Sequence, residues 1–525
     1  MTHTPGPWYT PRPQQQPVPH NPYAHQGQGP PGPPPGPYAH QGQGPPGPPR
    51  RRRFGRGPVA VIVAVVLLMA GGGVYALTGG DGEHESAAPV VAGTPEPSAT
   101  EASSSPPASS TPTPDRFPTS AEINAARKPG DATAWVVDDP TDLPRGNILA
   151  NDLWIVGDTV VQAVHKKVTA RRLSDGSEAW SLKLPSTVCE TPVNPTPDGK
   201  VVLLHHNRAK SRCNQLQEID LRTGKAGWHK ELTETGSMDG TIIVHSAISG
   251  GTLAIVQSMR AAAYRISDGA KLYDIPKEKA GGCYPDDVAG GRRLVVSYGC
   301  AIGSKTPYST LRGVDPLTGR TLWRYRTQPG WEVGKVLSVE PVVFTTLHAE
   351  RRTEDWRVVS LGPGGKLRRT IDARPKGFKH CADSGDAGQG IQNCRGALVG
   401  NGLVALGGTD RVGAYDLGTG RLVWGVKSEN GPALHPLHMV TGKAALVYEA
   451  ATTRKPGRIL RIGPGSADTE KEVLRHPVAA KRAEYDVFAG NLAYAKDRII
   501  ITPTMVNGDD AQPHAEMISF APGGN

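Results

Sequence analysis

An aspartate followed by glycine four residues on and by tryptophan eight residues on occurs three times along this chain. The copies are Asp220, Gly224 and Trp228; Asp315, Gly319 and Trp323; and Asp416, Gly420 and Trp424. Weaker copies keep the turn: Ser174-Asp175-Gly176 with Trp180, Ser267-Asp268-Gly269 with Tyr273, Gly362 to Gly365, and Gly463 to Gly465. Successive turn glycines, from Gly176 through Gly224, Gly269, Gly319, Gly365 and Gly420 to Gly465, are 48, 45, 50, 46, 55 and 45 residues apart. Self-similarity at such a period means an array of like units, each burying its apolar face against the next. Ahead of the glycines stand short β-branched runs such as Val201 to Leu204, Leu253 to Val256 and Leu294 to Ser297, which read as strands. Four such strands with their turns fill one unit. A helical repeat would show period 3.6 and a leucine-rich repeat would be shorter, so the unit is a propeller blade.

Each part of the motif has a structural task. Thr-Gly or Asp-Gly supplies the positive φ of a tight hairpin, and the aspartate accepts hydrogen bonds from turn amides. An indole on the outgoing strand, packed between blades, buries about 200 Å² and can donate its N–H to a backbone carbonyl. Periodic recurrence favours this packing role over ligand stacking. An eighth copy is split: Ile518 to Gly524 parallels Val359 to Gly365 but lacks an outgoing strand, which Ala132 to Val137, with Trp135, can supply. Residues 131–525 then make eight blades of about 49 residues, closed by pairing the two ends. The expected fold is all-β, an eight-bladed β-propeller.

These repeats resemble the pyrroloquinoline-quinone (PQQ)-like eight-bladed propellers, whose unit reads Ala-x-Asp-x-x-Thr-Gly-Lys-x-x-Trp. In the enzymes of that family the resemblance implies a quinone lying against a disulfide of adjacent cysteines, with carboxylate and amide ligands for Ca²⁺. This chain has no Cys-Cys pair and shows no Ca²⁺ constellation. It looks closer to the non-catalytic members, so no cofactor, no metal and no catalytic residue is expected.

Composition divides the rest. Residues 1–57 are Pro- and Gly-rich, repeat a segment from Tyr23 at Tyr38, and read as a disordered cytoplasmic tail. Residues 58–77 are uncharged, and twenty residues span a bilayer core of about 30 Å as one transmembrane helix. Arg50 to Arg53 precede it and Asp81, Glu83 and Glu85 follow, so the positive-inside rule leaves the N-terminus cytoplasmic and the C-terminal domain extracytoplasmic. A signal-peptidase site at Val74-Tyr75-Ala76, with Arg51-Arg52-Arg53-Phe54 as a twin-arginine signal, is the competing reading, and it too places the domain outside. Residues 78–130 are a Ser/Thr/Pro-rich linker, with a short helix expected within 120–128.

The net charge is +10, of which six arginines in the first 57 residues supply +6. The remaining +4 is too little for a phosphate-reading surface, and nucleic acid is not an expected partner. Six cysteines pair naturally within blades, as Cys189 with Cys213, Cys283 with Cys300 and Cys381 with Cys394, which suits an oxidising compartment, although fifteen connectivities are formally open. Free metal-binding thiols are the alternative. The loop from Cys381 to Cys394 carries Asp383, Asp386, Gln389 and Asn393 and falls in the longest unit, so it reads as an insertion above the ring, a solvated turn rather than a calcium site. His205 and His206 adjoin on a strand and face opposite ways, so they do not readily chelate one ion; His435 and His438 could, but lack further ligands. The reading is a monomeric, membrane-anchored propeller that binds a protein or cell-envelope ligand as a scaffold. A sensor signalling through the tail and a quinone-dependent oxidoreductase are the alternatives.

Overall fold

The computed structural model describes residues 116–523 apart from 139–142, 237, 279–281, 382–389, 393, 429–430, 466–469, 488–489 and 509–514. The tail, the apolar stretch 58–77 and the linker to residue 115 lie outside the described residues. No helix among those described is long and apolar enough to cross a membrane.

The β-branched runs form the middle strands of eight antiparallel meanders. Blade 1 contains Asn147–Val156, Thr159–Val164, Lys167–Arg172 and Glu178–Lys183, and blades 2 to 7 span 188–231, 244–275, 284–326, 331–371, 397–427 and 434–475. First strands of neighbouring blades touch one another, so they line the central channel while the fourth strands form the rim. Stacked blades cover both faces of the second and third strands. That is why Thr252–Gln257 and Leu294–Cys300 are buried at every position and read as continuous apolar runs. Rim strands such as Thr321–Arg326 alternate instead between half-buried and exposed side chains.

Blade 8 joins Asn491–Ala495, Arg498–Thr502 and Ala515–Ala521 to Thr133–Asp138. Trp135 pairs with Ser519 and Thr133 with Ala521, so the ring closes by the pairing expected from the split repeat. A short strand, Met505–Asn507, adds to Asn147–Leu149 and ties blade 8 to blade 1, which the repeat did not announce.

Chain ahead of the closing strand is also folded. Ser120–Ala125 is a helix with a capping box: Glu122 N–H donates to Thr119 Oγ1, and Thr119 N–H donates to Glu122 Oε2. Its Ile123, with Phe117, is buried beside Leu474, Ile518 and Phe520. Asn124 exchanges two hydrogen bonds with the backbone of Ala134, at 2.6 and 2.9 Å, and so occupies the outer edge of the closing strand. The last part of the segment read as linker therefore belongs to the folded body.

Candidate functional site

Turn glycine and rim aromatic meet between blades. All seven turn glycines have positive φ. A Cβ on Gly176 would lie 2.7 Å from Trp135 Cε3, on Gly224 2.4 Å from Trp180 Cε3, on Gly269 2.8 Å from Trp228 Cε3, on Gly319 2.6 Å from Tyr273 Cδ2 and on Gly365 2.7 Å from Trp323 Cε3. The aromatic of each blade is thus seated on the turn of the next. Trp135 Nε1 donates to Leu173 O at 2.9 Å and Trp228 Nε1 to Ile266 O at 2.7 Å, while Trp424 Nε1 donates to Lys443 O at 2.7 Å and nothing lies within 4 Å of a Cβ on Gly465. At the seam between blades 5 and 6 the seat is taken by Arg369. Its stem lies 3.1 Å from a Cβ on Gly420, and its Nε donates to Gly418 O at 3.1 Å, reproducing the indole's two contacts.

The motif aspartates hold the turns. Asp315 Oδ1 accepts from the amides of Leu317 and Thr318, both at 3.0 Å, and Asp220 Oδ1 from that of Arg222 at 2.9 Å. Asp416 Oδ1 accepts from the amides of Gly418 and Thr419 at 2.9 Å; these bonds, with Lys443, lower its carboxyl to about 2 against the effect of burial.

In an antiparallel meander, the connections between blades and those between second and third strands lie at one end of the sheet. Here that end carries the long segments 232–243, 301–307, 372–396, 476–490 and 503–514. The other end has mostly short turns such as 157–158, 250–251 and 401–402. The structure pairs Cys189 with Cys213, Cys283 with Cys300 and Cys381 with Cys394, and all three disulfides fall at the loop-bearing end.

The described part of the third disulfide loop, Gly390 to Gln392, lies against the channel side of blades 4 and 5. Gln392 accepts from Gly290 N at 2.7 Å and donates to Gly290 O at 2.8 Å. Val336 N donates to Ile391 O at 2.6 Å, Lys335 Nζ to Gly390 O at 2.6 Å, and the Ile391 side chain is buried with Ala289, Val339 and Phe344. Residues 390–392 therefore cover the channel-facing edge of blades 4 and 5. Asp383, Asp386, Gln389 and Asn393 lie outside the described residues.

Charged groups collect around this segment on the first strands of blades 3 to 5. Asp287 Oδ2 is 3.8 Å from His245 Nε2, and burial raises the Asp287 carboxyl despite His245 and Lys335. Asp286, the extra residue of a bulge, is pushed up to about 7 by the protein around it, with Asp287 and Glu332 adding like charge against a hydrogen bond from Ser297. Asp286 is itself exposed, so solvent screens much of that rise. His380, half-buried and bonded to Thr345 Oγ1 at 2.7 Å, is pushed down to about 4 by desolvation, helped by Lys335 and Arg352. Across the channel, a cavity of 230 Å³ is lined by Leu153, Cys394, Arg395, Leu437, Asn491 and Tyr494, among others.

The histidines singled out in the sequence go to separate environments. His205 is buried against Ser186 Oγ at 2.7 Å, and His206 Nδ1 faces Arg212 O at 3.3 Å. His435 stacks on Tyr448, and His438 lies tilted against Tyr494. Among the described residues no three His, Cys, Asp or Glu form a metal-holding group. Sequence reasoning missed a buried constellation between blades 7 and 8: Glu484 Oε1 accepts from Tyr448 Oη at 2.8 Å and lies 2.7 Å from His476 Nδ1, and Glu484 Oε2 accepts from Gly457 N at 3.0 Å. His476 stacks at 3.7 Å on Phe520, so the group pins the insertion 478–487 to both blades. A carboxylate at the end of a short helical pattern gives no sign of this in sequence.

Eight closed blades with indoles seated on turn glycines, together with a match of residues 119–283 to the family profile described as outer membrane protein assembly factor BamB, decide the family likeness. That match covers just under a third of the chain, whose repeats resemble the PQQ-like propeller unit. Solved structures similar to this propeller include BamB from Moraxella catarrhalis, at 16% identity over 74% of this chain and 99% of that one, TM-score 0.43. Quinohemoprotein alcohol dehydrogenase from Comamonas testosteroni is similar at 14% identity over 78% of each chain, TM-score 0.46. Identities this low speak to fold alone. No curated protein sequence matches the chain.

The PQQ-like enzymes make a quinone the cofactor to test. Among the described residues Gly390 to Gln392 lie against blades 4 and 5 on the channel side, one cavity of 230 Å³ is below the roughly 300–1,000 Å³ of sites for molecules of that size, and each disulfide joins cysteines at least 13 residues apart. No disulfide of the structure therefore offers the adjacent cysteines against which such a quinone lies.

Proposed function

We propose that the chain is a binding or scaffold module, a propeller held outside the membrane by residues 58–77, which docks a protein or cell-envelope ligand on its loop-bearing end. One observation carries this reading: the long connections and all three disulfides gather at one end of the ring. Loops on a rigid scaffold lose little conformational entropy on docking, and cross-links reduce that loss further. The matched family profile, described as an assembly factor, agrees with a role without chemistry.

The test is to place single cysteines, capped with a bulky maleimide, at exposed positions of each end, for example Ser304 at the loop-bearing end and Thr223 at the turn end, and to measure retention of envelope components by the full chain. Blocking at Ser304 and not at Thr223 is expected. Equal retention with either label overturns the assignment of the face.

A further inference from the structure

Charge beyond the N-terminal tail is not evenly spread. Residues 320–379 contain thirteen Lys and Arg against six Asp and Glu, a net +7, so the rest of the chain past residue 57 sums to −3. Several of these cations are neutralised locally: Arg352 by Glu332 at 2.6 Å, Arg374 by Asp372 at 2.8 Å, and Arg351 by Asp355. On the rim of blades 5 and 6 they are not. Among the described residues no carboxylate lies within ion-pair distance of Lys366, Arg368, Arg369 or Arg421.

These four are neighbours. Arg369 sits on the Gly418–Gly420 turn in the seat an indole fills elsewhere, Arg368 Nη2 is 3.0 Å from a Cβ position on Gly418, and Arg421 leaves the same turn. The nearby carboxylate, Asp416, is committed to the amides of Gly418 and Thr419 and to Lys443 Nζ at 3.2 Å, so it leaves the cluster uncompensated. Arginines on a rim strand can merely guard an open sheet edge. Here large apolar side chains are interleaved with them: Leu367 is 55% exposed and Leu422 37%, and on the adjoining rim of blade 4 Leu317 is 70% and Leu322 42% exposed. Apolar exposure defeats a guard and suits a docking surface.

We infer that the rim of blades 4 to 6 is an interaction surface for an acidic polypeptide segment carrying interspersed apolar side chains. Guanidinium forks match carboxylates, and the leucines give apolar contact that a purely anionic polymer would not use. This rim carries the short third-to-fourth-strand turns, away from the loop-bearing end, so the two readings stand or fall separately.

The test measures binding of a fluorescent peptide of alternating glutamate and leucine to the full chain in mild detergent, with a lysine–leucine peptide and polyphosphate as comparisons. Saturable binding of the glutamate–leucine peptide alone is expected, weakened about tenfold or more by R368E/R421E and severalfold by L367S, and weakened by salt. Both variants are at exposed positions, and unchanged unfolding curves establish that they fold. No binding, binding insensitive to R368E/R421E, or equal binding of polyphosphate with no effect of L367S would each overturn the inference. So would binding that appears only after residues 78–115, which hold six Asp and Glu and no Lys or Arg, are deleted, since the occupant would then be this chain's own linker.

Discussion

Replacing Gly224 by alanine tests how the blades are held together. Gly224 has φ +72°, and an added Cβ would stand 2.4 Å from Trp180 Cε3 and 2.5 Å from Cδ2, ring atoms that cannot swing clear without moving the indole off its seat. Positive φ costs an L-residue about 1–2 kcal/mol, and forcing a packed ring outward adds about 1–3 kcal/mol, so G224A should lose about 2–5 kcal/mol. Gly157 is the control: its φ is +59° with nothing within 4 Å of a Cβ, so G157A should lose only the backbone cost of about 1–2 kcal/mol. Urea unfolding followed by indole fluorescence gives both losses. Combining G224A with W180A should recover part of the deficit, since the ring that is struck is gone. A G224A loss no larger than that of G157A would show that the glycine serves the hairpin alone, and the account of the seams would fail.

Other consequences can be measured in the same way. W135A removes the indole that joins blade 8 to blade 1 and its bond to Leu173 O at 2.9 Å, and should lower stability by about 3–5 kcal/mol in the same unfolding assay. Q392A deletes both bonds to Gly290 and should cost about 1–3 kcal/mol locally, seen as faster hydrogen exchange at Gly290 N with little change in the global midpoint. Asp286 holds its proton more tightly in the folded chain than a free carboxyl does. Its stabilising effect is therefore complete below about pH 4 and is lost as pH rises through the raised value, a change that solvent screens because the residue is exposed. D286N should flatten this dependence, with Tm rising relative to the parent at pH 8 and not at pH 4, as thermal scans at the two values would show.

The blade count and closure were legible because they depend on turn chemistry repeated at fixed spacing: positive φ at Gly224 or Gly319, and an aspartate whose oxygen meets turn amides, leave a mark in any single sequence. What the spacing concealed is the partner. That Gly224 must also lack a Cβ for Trp180 of the preceding blade is a contact across 44 residues, and only the stacked arrangement reveals it. Arg369 was unreadable for the same reason, since a guanidinium in an indole's position looks like a lost repeat until its Nε is seen on Gly418 O. The composition of the loop from Cys381 to Cys394 gave no sign that Ile391 and Gln392 near its end are held against blades 4 and 5 by burial and by paired bonds to Gly290. The Tyr448, His476 and Glu484 group draws on two blades and an insertion outside the repeat, so no periodicity points to it.

The strand Thr133–Asp138 is the first of the ring to leave the ribosome, yet its partner, Ala515–Ala521, is the last, with Thr133 and Ala521 separated by 388 residues. Every earlier blade can dock on its predecessor as it is made, whereas this pairing must wait for nearly the whole body to be synthesised. Non-local pairing of this kind slows folding and leaves a sheet edge uncovered in the interim. During synthesis, then, the nascent body is an open arc with two sticky ends, and that is when chaperones and proteases have most to recognise.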